Sequence, residues 1–459
     1  MRTSDLAAGN VSEVCRVKVD AGKDVGPLEM WRHGYGLGGI NSKPLTERVS
    51  SGMAKLRPKL VRVFIQEFFG IYPERGVFDW SRLDPFMEAM GKTGAKILAA
   101  IVIKPRVLFP AIDQKIWRPS DVGEWQRVIG AMVKRYSVDK KLVTHWCVGN
   151  EVDIGENGGT PFLIETAEDY AEFYKMTIKP ILEVFPEAKV GGPAVANAGG
   201  DLLEGFVKIC KRDGAPVDFV CWHLYVDDVE QHRGQILRHR KILDSLGGKR
   251  PEMMVTEWNK GFDALSVEEL AFEPRRAAHA GTILLAMMEA GLDWSFYYHF
   301  LDQVAYWEDF SKFFAKPEVM YHHWNEVPHR FGLFGVGGEV RPQYFLYWML
   351  LRLGERRVLA ESDCSDLRVI AGNSGGGWGA VIINFGKGRS EDRAAKVRLE
   401  GVGNGRRELA VYRIDHARRW DVQTLEMNPV ERREVDVHDA FECEIWCEAD
   451  SVTLVELRG

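Results

Sequence analysis

The chain has 459 residues, 46% of them hydrophobic and 27% charged, which is enough apolar material for a large core and excludes bulk disorder. A formal charge of −6 supplies no basic field, so nucleic acid is excluded as an expected partner. Residues 1–13 carry no signal-peptide run, and nowhere does the chain approach the ~20 apolar residues of a membrane span; a soluble, cytoplasmic protein with no membrane partner is expected.

Residues 12–20 (SEVCRVKVD) alternate as a half-exposed strand, and Gly22 to Pro27 then turn the chain. Residues 28–35 read as the first of a series of strands and run into Gly36-Leu37-Gly38-Gly39. That cluster lacks the Lys-Ser/Thr of a phosphate loop and the spacing of a dinucleotide site. Close passage of a backbone, or a tight turn, explains it more simply. A helix over 45–56 leads to strand 60–66 (LVRVFIQ), and a helix opening at Asp79-Trp80-Ser81 leads to strand 96–103 (KILAAIVI). The amphipathic stretch 121–136 precedes a buried strand, 142–148, that stops on Asn150-Glu151. Thr166 caps a helix through Val184, ahead of strand 188–195. A helix over 201–212 precedes strand 218–225 (DFVCWHLY), and a basic helix over 229–246 precedes the strand that stops on Glu257. A helix over 275–290, the strand 294–300 (WSFYYHF) and a last helix over 343–353 complete the series.

Eight near-continuously apolar strands alternating with helices predict an α/β fold, a (β/α)8 TIM barrel. A doubly wound open sheet would be long at eight strands, and no nucleotide fingerprint accompanies it. Beyond 355 the texture changes to short runs at 367–371, 378–385, 395–400, 408–414 and 444–457 between Gly, Asn and Asp turns. Such spacing predicts a C-terminal β-sandwich able to include the N-terminal strand. The expected division is a strand segment at 1–27 pairing with the sandwich, a catalytic barrel at 28–354, and a β-sandwich accessory domain at 355–459. The seven cysteines at 15, 147, 210, 221, 364, 443 and 447 form no C-x-x-C pair. Being odd in number and partly within apolar strands, they read as reduced core thiols.

Chemistry is concentrated at the strand ends. Glu151 and Glu257 terminate the fourth and seventh strands of the series, and carboxyl groups delivered from two strand ends are what glycosidic bond cleavage requires. A second Asn-Glu pair, Asn325-Glu326, lies in a His- and Trp-rich loop without a rigid strand behind it, which makes Glu151 the better proton donor. His33, Gln66 and His299 sit near strand ends and are candidates for substrate hydroxyls; packed polar roles fit them equally. Trp258, Trp294 and Trp307 are candidate stacking platforms for sugar faces, with core packing the plainer role. Lys104 reads as a solvated lysine at the rim, and His322, His323 and His329 as a surface loop whose spacing matches no metal frame.

The Asn150-Glu151 and Glu257 pattern resembles clan A of the retaining glycoside hydrolases. Phe219-Val220-Cys221-Trp222-His223-Leu224-Tyr225, Val255-Thr256-Glu257-Trp258-Asn259 and the trailing β-domain look like glycoside hydrolase family 39, the family of β-xylosidases and α-L-iduronidases. The resemblance covers about 28–353 and, more loosely, the β-domain. It departs from the usual Trp-Asn-Glu-Pro at the fourth strand, which here is Val148-Gly149-Asn150-Glu151-Val152. It implies that Glu151 is the acid/base and Glu257 the nucleophile, that Asn150 bonds the sugar 2-hydroxyl, that His223 and Tyr225 line the site, and that Arg62 keeps Glu257 ionised. The expected function is β-xylosidase-like hydrolysis of a small oligosaccharide or glycoside through a covalent glycosyl-enzyme, with no cofactor and no metal. The rivals are a non-catalytic carbohydrate-binding scaffold and an inverting or endo-acting glycosidase. Oligomeric state, a homo-oligomer included, stays open.

Overall fold

In a computed structural model the described residues are 14–261, 274–326, 330–386, 388, 390–417 and 424–459. They form two compact units. One spans Trp31–Glu268 and Ala286–Glu339; the other gathers the described parts of Met1–Met30, Glu269–Leu285 and Val340–Gly459.

The first element among the described residues is β1 (Cys15–Pro27), which belongs to the second unit. The first unit is a closed ring of eight strands: β2 (His33–Gly36), β3 (Leu60–Gln66), β4 (Lys96–Val102), β5 (Val143–Val148), β6 (Lys189–Val195), β7 (Phe219–Tyr225), β8 (Glu252–Asn259) and β9 (Trp294–Tyr298). All pair in parallel, and the ring closes where β9 meets β2, His33 opposite Ser295 and Gly36 opposite Tyr298. Continuous apolar runs suit such strands because both faces are covered. Every residue from Ile97 to Ile103 is fully buried.

Helices between the strands follow the sequence closely. One spans Ala167–Val184, and Thr166 Oγ1 accepts the Asp169 N–H at 3.1 Å as its cap. The helix placed at Asp79 instead begins at Leu83, because Asp79 Oδ1 takes the Ser81 N–H in a local turn. The first barrel strand is shorter than expected, since Met30–Arg32 forms a single 3-10 turn before it.

The second unit holds β1 together with β10 (Arg356–Ser362), β11 (Leu367–Asn373), β12 (Gly377–Asn384), β13 (Arg393–Glu400), β14 (Gly405–Ile414), β15 (Glu431–Val437), β16 (Ala440–Cys447) and β17 (Ser451–Arg458). Their order is β15-β14-β17-β12-β11-β10-β1-β13-β16. Inward residues from opposite ends of this sheet, Val435 of β15 and Phe441 of β16, share one apolar core with Val17, Val397 and Val455. The sheet therefore folds over itself as a sandwich. The expected turn at Gly22 to Pro27 is a correction: β1 continues through it, with irregularities between Asp20 and Gly26 that absorb the glycine residues.

The cysteines also need correcting. Cys15 and Cys364 form a disulfide, with Cα atoms 5.7 Å apart across 349 residues of sequence. Antiparallel pairing of β1 with β10 sets Val17 against Ser362 and so delivers the two sulfurs to each other. Residue parity and spacing carry no trace of that pairing. The other five are buried free thiols, as expected.

Candidate active site

The site stands at the carboxyl ends of the ring strands, where parallel barrels place working residues. Its centre is Arg62, fully buried inside the ring on β3. Arg62 Nη1 donates to Glu257 Oε1 at 2.6 Å and Nη2 donates to Asn150 Oδ1 at 2.6 Å, so one planar guanidinium aligns residues from β3, β8 and the end of β5. Tyr225 Oη donates to the second oxygen of Glu257 at 2.5 Å. His223 Nδ1 lies 2.7 Å from Glu151 Oε1 and 3.5 Å from Glu257 Oε2.

Local backbone features produce this convergence. A bulge between Val255 and Trp258 lets β8 advance one residue against β7, so Glu257 rather than Thr256 faces His223. After β5, Gly149 takes φ +84° and Glu151 itself φ +41°. The left-handed turn lifts the Glu151 side chain over the ring; for a non-glycine residue such a conformation is held by its surroundings. Its N–H donates to Ala194 O at 2.8 Å.

The two carboxyl groups are electrostatically unequal. Burial pushes the Glu151 carboxyl well above its ordinary value; the charge of Glu257 and that of Asp153 add to the effect, and the Arg62 charge opposes it. Burial also raises Glu257, but there the Arg62 charge and the hydrogen bonds from Tyr225 and Arg62 pull against it. Glu257 is therefore the member that ionises first, and Glu151 keeps its proton. Burial, then Arg62, drives His223 well below the usual imidazole range, so it sits neutral between them. The Tyr225 phenol is raised by burial and by Glu257 and stays a donor.

Glu151, His223 and Glu257 each offer one donor atom within 4.8 Å of the others. A cation could use that spacing, but Arg62 already supplies positive charge at Glu257. Among the described residues the other cluster of this type, Cys15, Asp363 and Cys364, contains the disulfide.

Several sequence candidates lie elsewhere. His33 and Trp294 are the first residues of β2 and β9, at the opposite end of the ring from Glu257, so their expected substrate contacts are corrected. Strands advance ~3.3 Å per residue, so the three steps of β2 and the four of β9 carry the chain ~10 and ~13 Å away. His33 Nδ1 instead meets Ser295 Oγ at 2.8 Å, and Trp294 packs edge-on against Trp31 at 5.2 Å. Gln66 does end β3 at the correct face; its Nε2 donates to Gly159 O at 2.9 Å. His299 is buried against Asp302 at 2.7 Å, with Trp324 packed on its ring at 5.3 Å. Trp258 is core, packed on Tyr297, whereas Trp307 is half exposed. Gly38 and Gly39 pass tightly against Tyr298 and Phe64, where side chains would clash.

Lys104 is a correction: it is buried, and its Nζ donates to Asp113 O at 2.7 Å and Pro161 O at 2.9 Å. Burial lowers its ammonium to about 8. Glu326 is an exposed partner of His322 at 2.7 Å, which leaves Glu151 alone of the two Asn-Glu candidates in the cluster. His329 lies outside the described residues. Tyr298, buried at the end of β9 with its ring 6.0 Å from Tyr225, and the 152–165 loop were missed from sequence. Tyr298 carried the same signal as Tyr225, an aromatic at a strand end.

Comparison with known proteins agrees with this fold. The family model described as Glycosyl hydrolases family 39 matches residues 16–420. A beta-xylosidase of Geobacillus stearothermophilus is 22% identical over 310 residues, which is 61% of this chain and 55% of that protein, so the match spans just over half the relative's length. Among solved structures, a monomeric beta-xylosidase from Caulobacter crescentus CB15 superposes with a TM-score of 0.77 at 19% identity, covering 96% of this chain and 99% of that one. A GH39 enzyme from Xanthomonas axonopodis pv. citri gives 0.77 at 17% identity, covering 99% of both chains. Likeness at these identities shows the shared fold.

Proposed function

The chain belongs to glycosyl hydrolase family 39, and from that premise we propose that this glycoside hydrolase works by double displacement, with Glu257 as nucleophile and Glu151 as acid/base. The observation that carries the reading is the grouping of Glu151 and Glu257 oxygens within 4.8 Å. Retaining enzymes hold their carboxyl groups ~5–5.5 Å apart, whereas inverting ones leave ~6.5–9.5 Å for a water between them. The unequal environments support the division of labour. The Arg62 charge and the Tyr225 hydroxyl favour an anionic Glu257, and burial beside that anion favours a protonated Glu151.

In the first step Glu257 attacks the anomeric carbon while Glu151 passes its proton to the departing oxygen. The glycosyl ester removes the negative charge at 257, so Glu151, having given up its proton, stays a carboxylate. In the second step it takes a proton from the water that attacks the anomeric carbon, and the ester bond breaks to release Glu257. Asn150, held by Arg62 and by its own Nδ2 bond to Gly158 O at 3.1 Å, is the proposed partner of the sugar 2-hydroxyl.

The proposed substrate is a small glycoside, β-xylosides first, because two curated relatives, at 22% and 27% identity, are beta-xylosidases. A scaffold role would be favoured by loss of a carboxylate, and both are present. No helix among the described residues is long and apolar enough to cross a membrane. A panel of nitrophenyl pentosides, hexosides and uronides, with proton NMR of the first-formed sugar anomer, tests the reading. Retention on a β-xyloside supports it; inversion sinks the mechanism, and turnover of another sugar alone sinks the substrate.

A further inference from the structure

Behind Glu151 the chain turns at once, its carbonyl accepting the N–H groups of Ile154 and Gly155, both at 3.0 Å. The short 3-10 turn Gly155–Gly158 that follows forms a wall against the Glu151 side chain. A methyl group at Gly158 would stand 2.6 Å from Glu151 Cβ and overlap its Oε2. The position of this wall therefore limits where the carboxyl can point.

Three fastenings of the wall are neutral. Asn150 Nδ2 donates to Gly158 O at 3.1 Å, Gln66 Nε2 donates to Gly159 O at 2.9 Å, and the Glu156 N–H donates to Gln114 Oε1 at 2.8 Å. The fourth is a carboxylate. Glu156 is 3% exposed; its Oε1 accepts the Ala315 N–H at 2.7 Å and its Oε2 the Lys316 N–H at 2.9 Å. Those two amides belong to the loop after β9, so through them Glu156 ties the wall to the opposite side of the ring opening. Lys104, whose ammonium donates to Pro161 O at the far end of the same loop, is the nearby cation that balances this carboxylate.

We propose that Glu156 is a positioning residue for the proton donor: it holds the Gly155–Gly158 wall and so sets the Glu151 carboxyl at the glycosidic oxygen. The inference rests on Glu151 being the acid/base. Two successive backbone N–H groups aimed at one side chain demand an acceptor on both oxygens. Glutamine offers one oxygen and turns an NH2 against the other amide, which leaves a buried donor unpaired. Aspartate keeps both oxygens but falls a methylene short. Either change loosens the wall without touching a reacting group. A donor shifted by a fraction of an ångström protonates the leaving oxygen poorly. The loss then grows with the basicity of the leaving group, which a general loss of folding would not do.

The experiment measures kcat/KM for Glu156→Gln, Glu156→Asp and Gly158→Ala on aryl glycosides from dinitrophenyl to unsubstituted phenyl, with Glu151→Ala in parallel. Rates are referred to active sites titrated with a fluorosugar trap, so that only folded enzyme is counted. The expected result for Glu156→Gln is a loss of roughly 10–100-fold on the phenyl glycoside and less than about threefold on the dinitrophenyl one, in line with the known cost of an ångström-scale misplacement. Gly158→Ala should show the same selectivity by pushing Glu151 directly. If Glu156→Gln does not fold, Glu156→Asp carries the same expectation. A uniform loss in the Glu156 variants beside a selective loss in Glu151→Ala, or no loss at all, overturns the role of Glu156 alone. An unselective Glu151→Ala removes the acid/base assignment, and the role of Glu156 falls with it.

Discussion

Arg62 donates to Glu257 across 2.6 Å inside a ring where Arg62 is fully buried and Glu257 nearly so. A buried ion pair of this kind is costly to break from one side, because the remaining charge is stranded. Arg62→Met should therefore destabilise the protein by about 3–5 kcal/mol. It should also raise the Glu257 carboxyl, moving the acidic limb of the kcat/KM–pH profile to higher pH. Denaturant titration and the pH profile check both outcomes; an unmoved acidic limb would mean that Arg62 does not hold Glu257 ionised.

Tyr225 supplies the second hydrogen bond to Glu257, at 2.5 Å. Hydrogen bonds to charged groups contribute ~1.5–3 kcal/mol, so Tyr225→Phe should lower kcat/KM by about 10–100-fold and shift the acidic limb in the same direction as Arg62→Met, by less. Wild-type kcat/KM in the variant would remove Tyr225 from the site.

Glu151 is raised by burial and by Glu257, and the sign of the stability effect follows. Its folded value lies above its unfolded value of about 4.3, so between the two the folded state holds a proton that the unfolded state has lost. That contribution is complete below the unfolded value and fades as pH rises through the folded one. Glu151→Gln should flatten the decline of stability above about pH 4.3, as measured by denaturant titration across pH. In Glu257→Gln the partner charge is gone, and isotope-edited infrared spectroscopy of the Glu151 carboxyl should place its titration lower than in the wild type. A slope unchanged by Glu151→Gln would show that this carboxyl is not raised.

The Cys15–Cys364 bond joins β1 to the turn that follows β10. Alkylation of the denatured, unreduced protein should label the five free cysteines and spare these two. Reduction should cost about 2–4 kcal/mol of stability. A reducing cytosol, the address expected from sequence, would leave the pair open, and seven labelled thiols in protein alkylated at lysis would be the sign of it.

The barrel was legible because its strands are buried on both faces and therefore read as unbroken apolar runs, as in Leu60 to Gln66. Glu151 and Glu257 were legible for the same reason, as the first acidic groups after such runs. The sandwich was read less fully: β15 (ERREVDV) sits at a sheet edge and opens with four charged residues exposed in succession, so alternation is confined to its last residues. His33 was misplaced because the expected strand over 28–35 set it near a carboxyl end, whereas β2 begins there. Trp294 opens β9, as it opened the expected strand, so parallel direction alone would have put it at the far end. Lys104 and Glu156 were missed for a shared reason. Each satisfies backbone groups brought in by distant loops, and neither charge has a local signature.

The central claim is that Glu257 forms a covalent bond with the sugar. A 2-deoxy-2-fluoro-β-xylosyl fluoride, or its counterpart for whichever glycoside proves to be the substrate, should inactivate the enzyme and add one fluoroglycosyl mass. Peptide mapping should find that mass on Glu257. A label on another residue, or a first-formed product of inverted configuration with no label, would contradict the account.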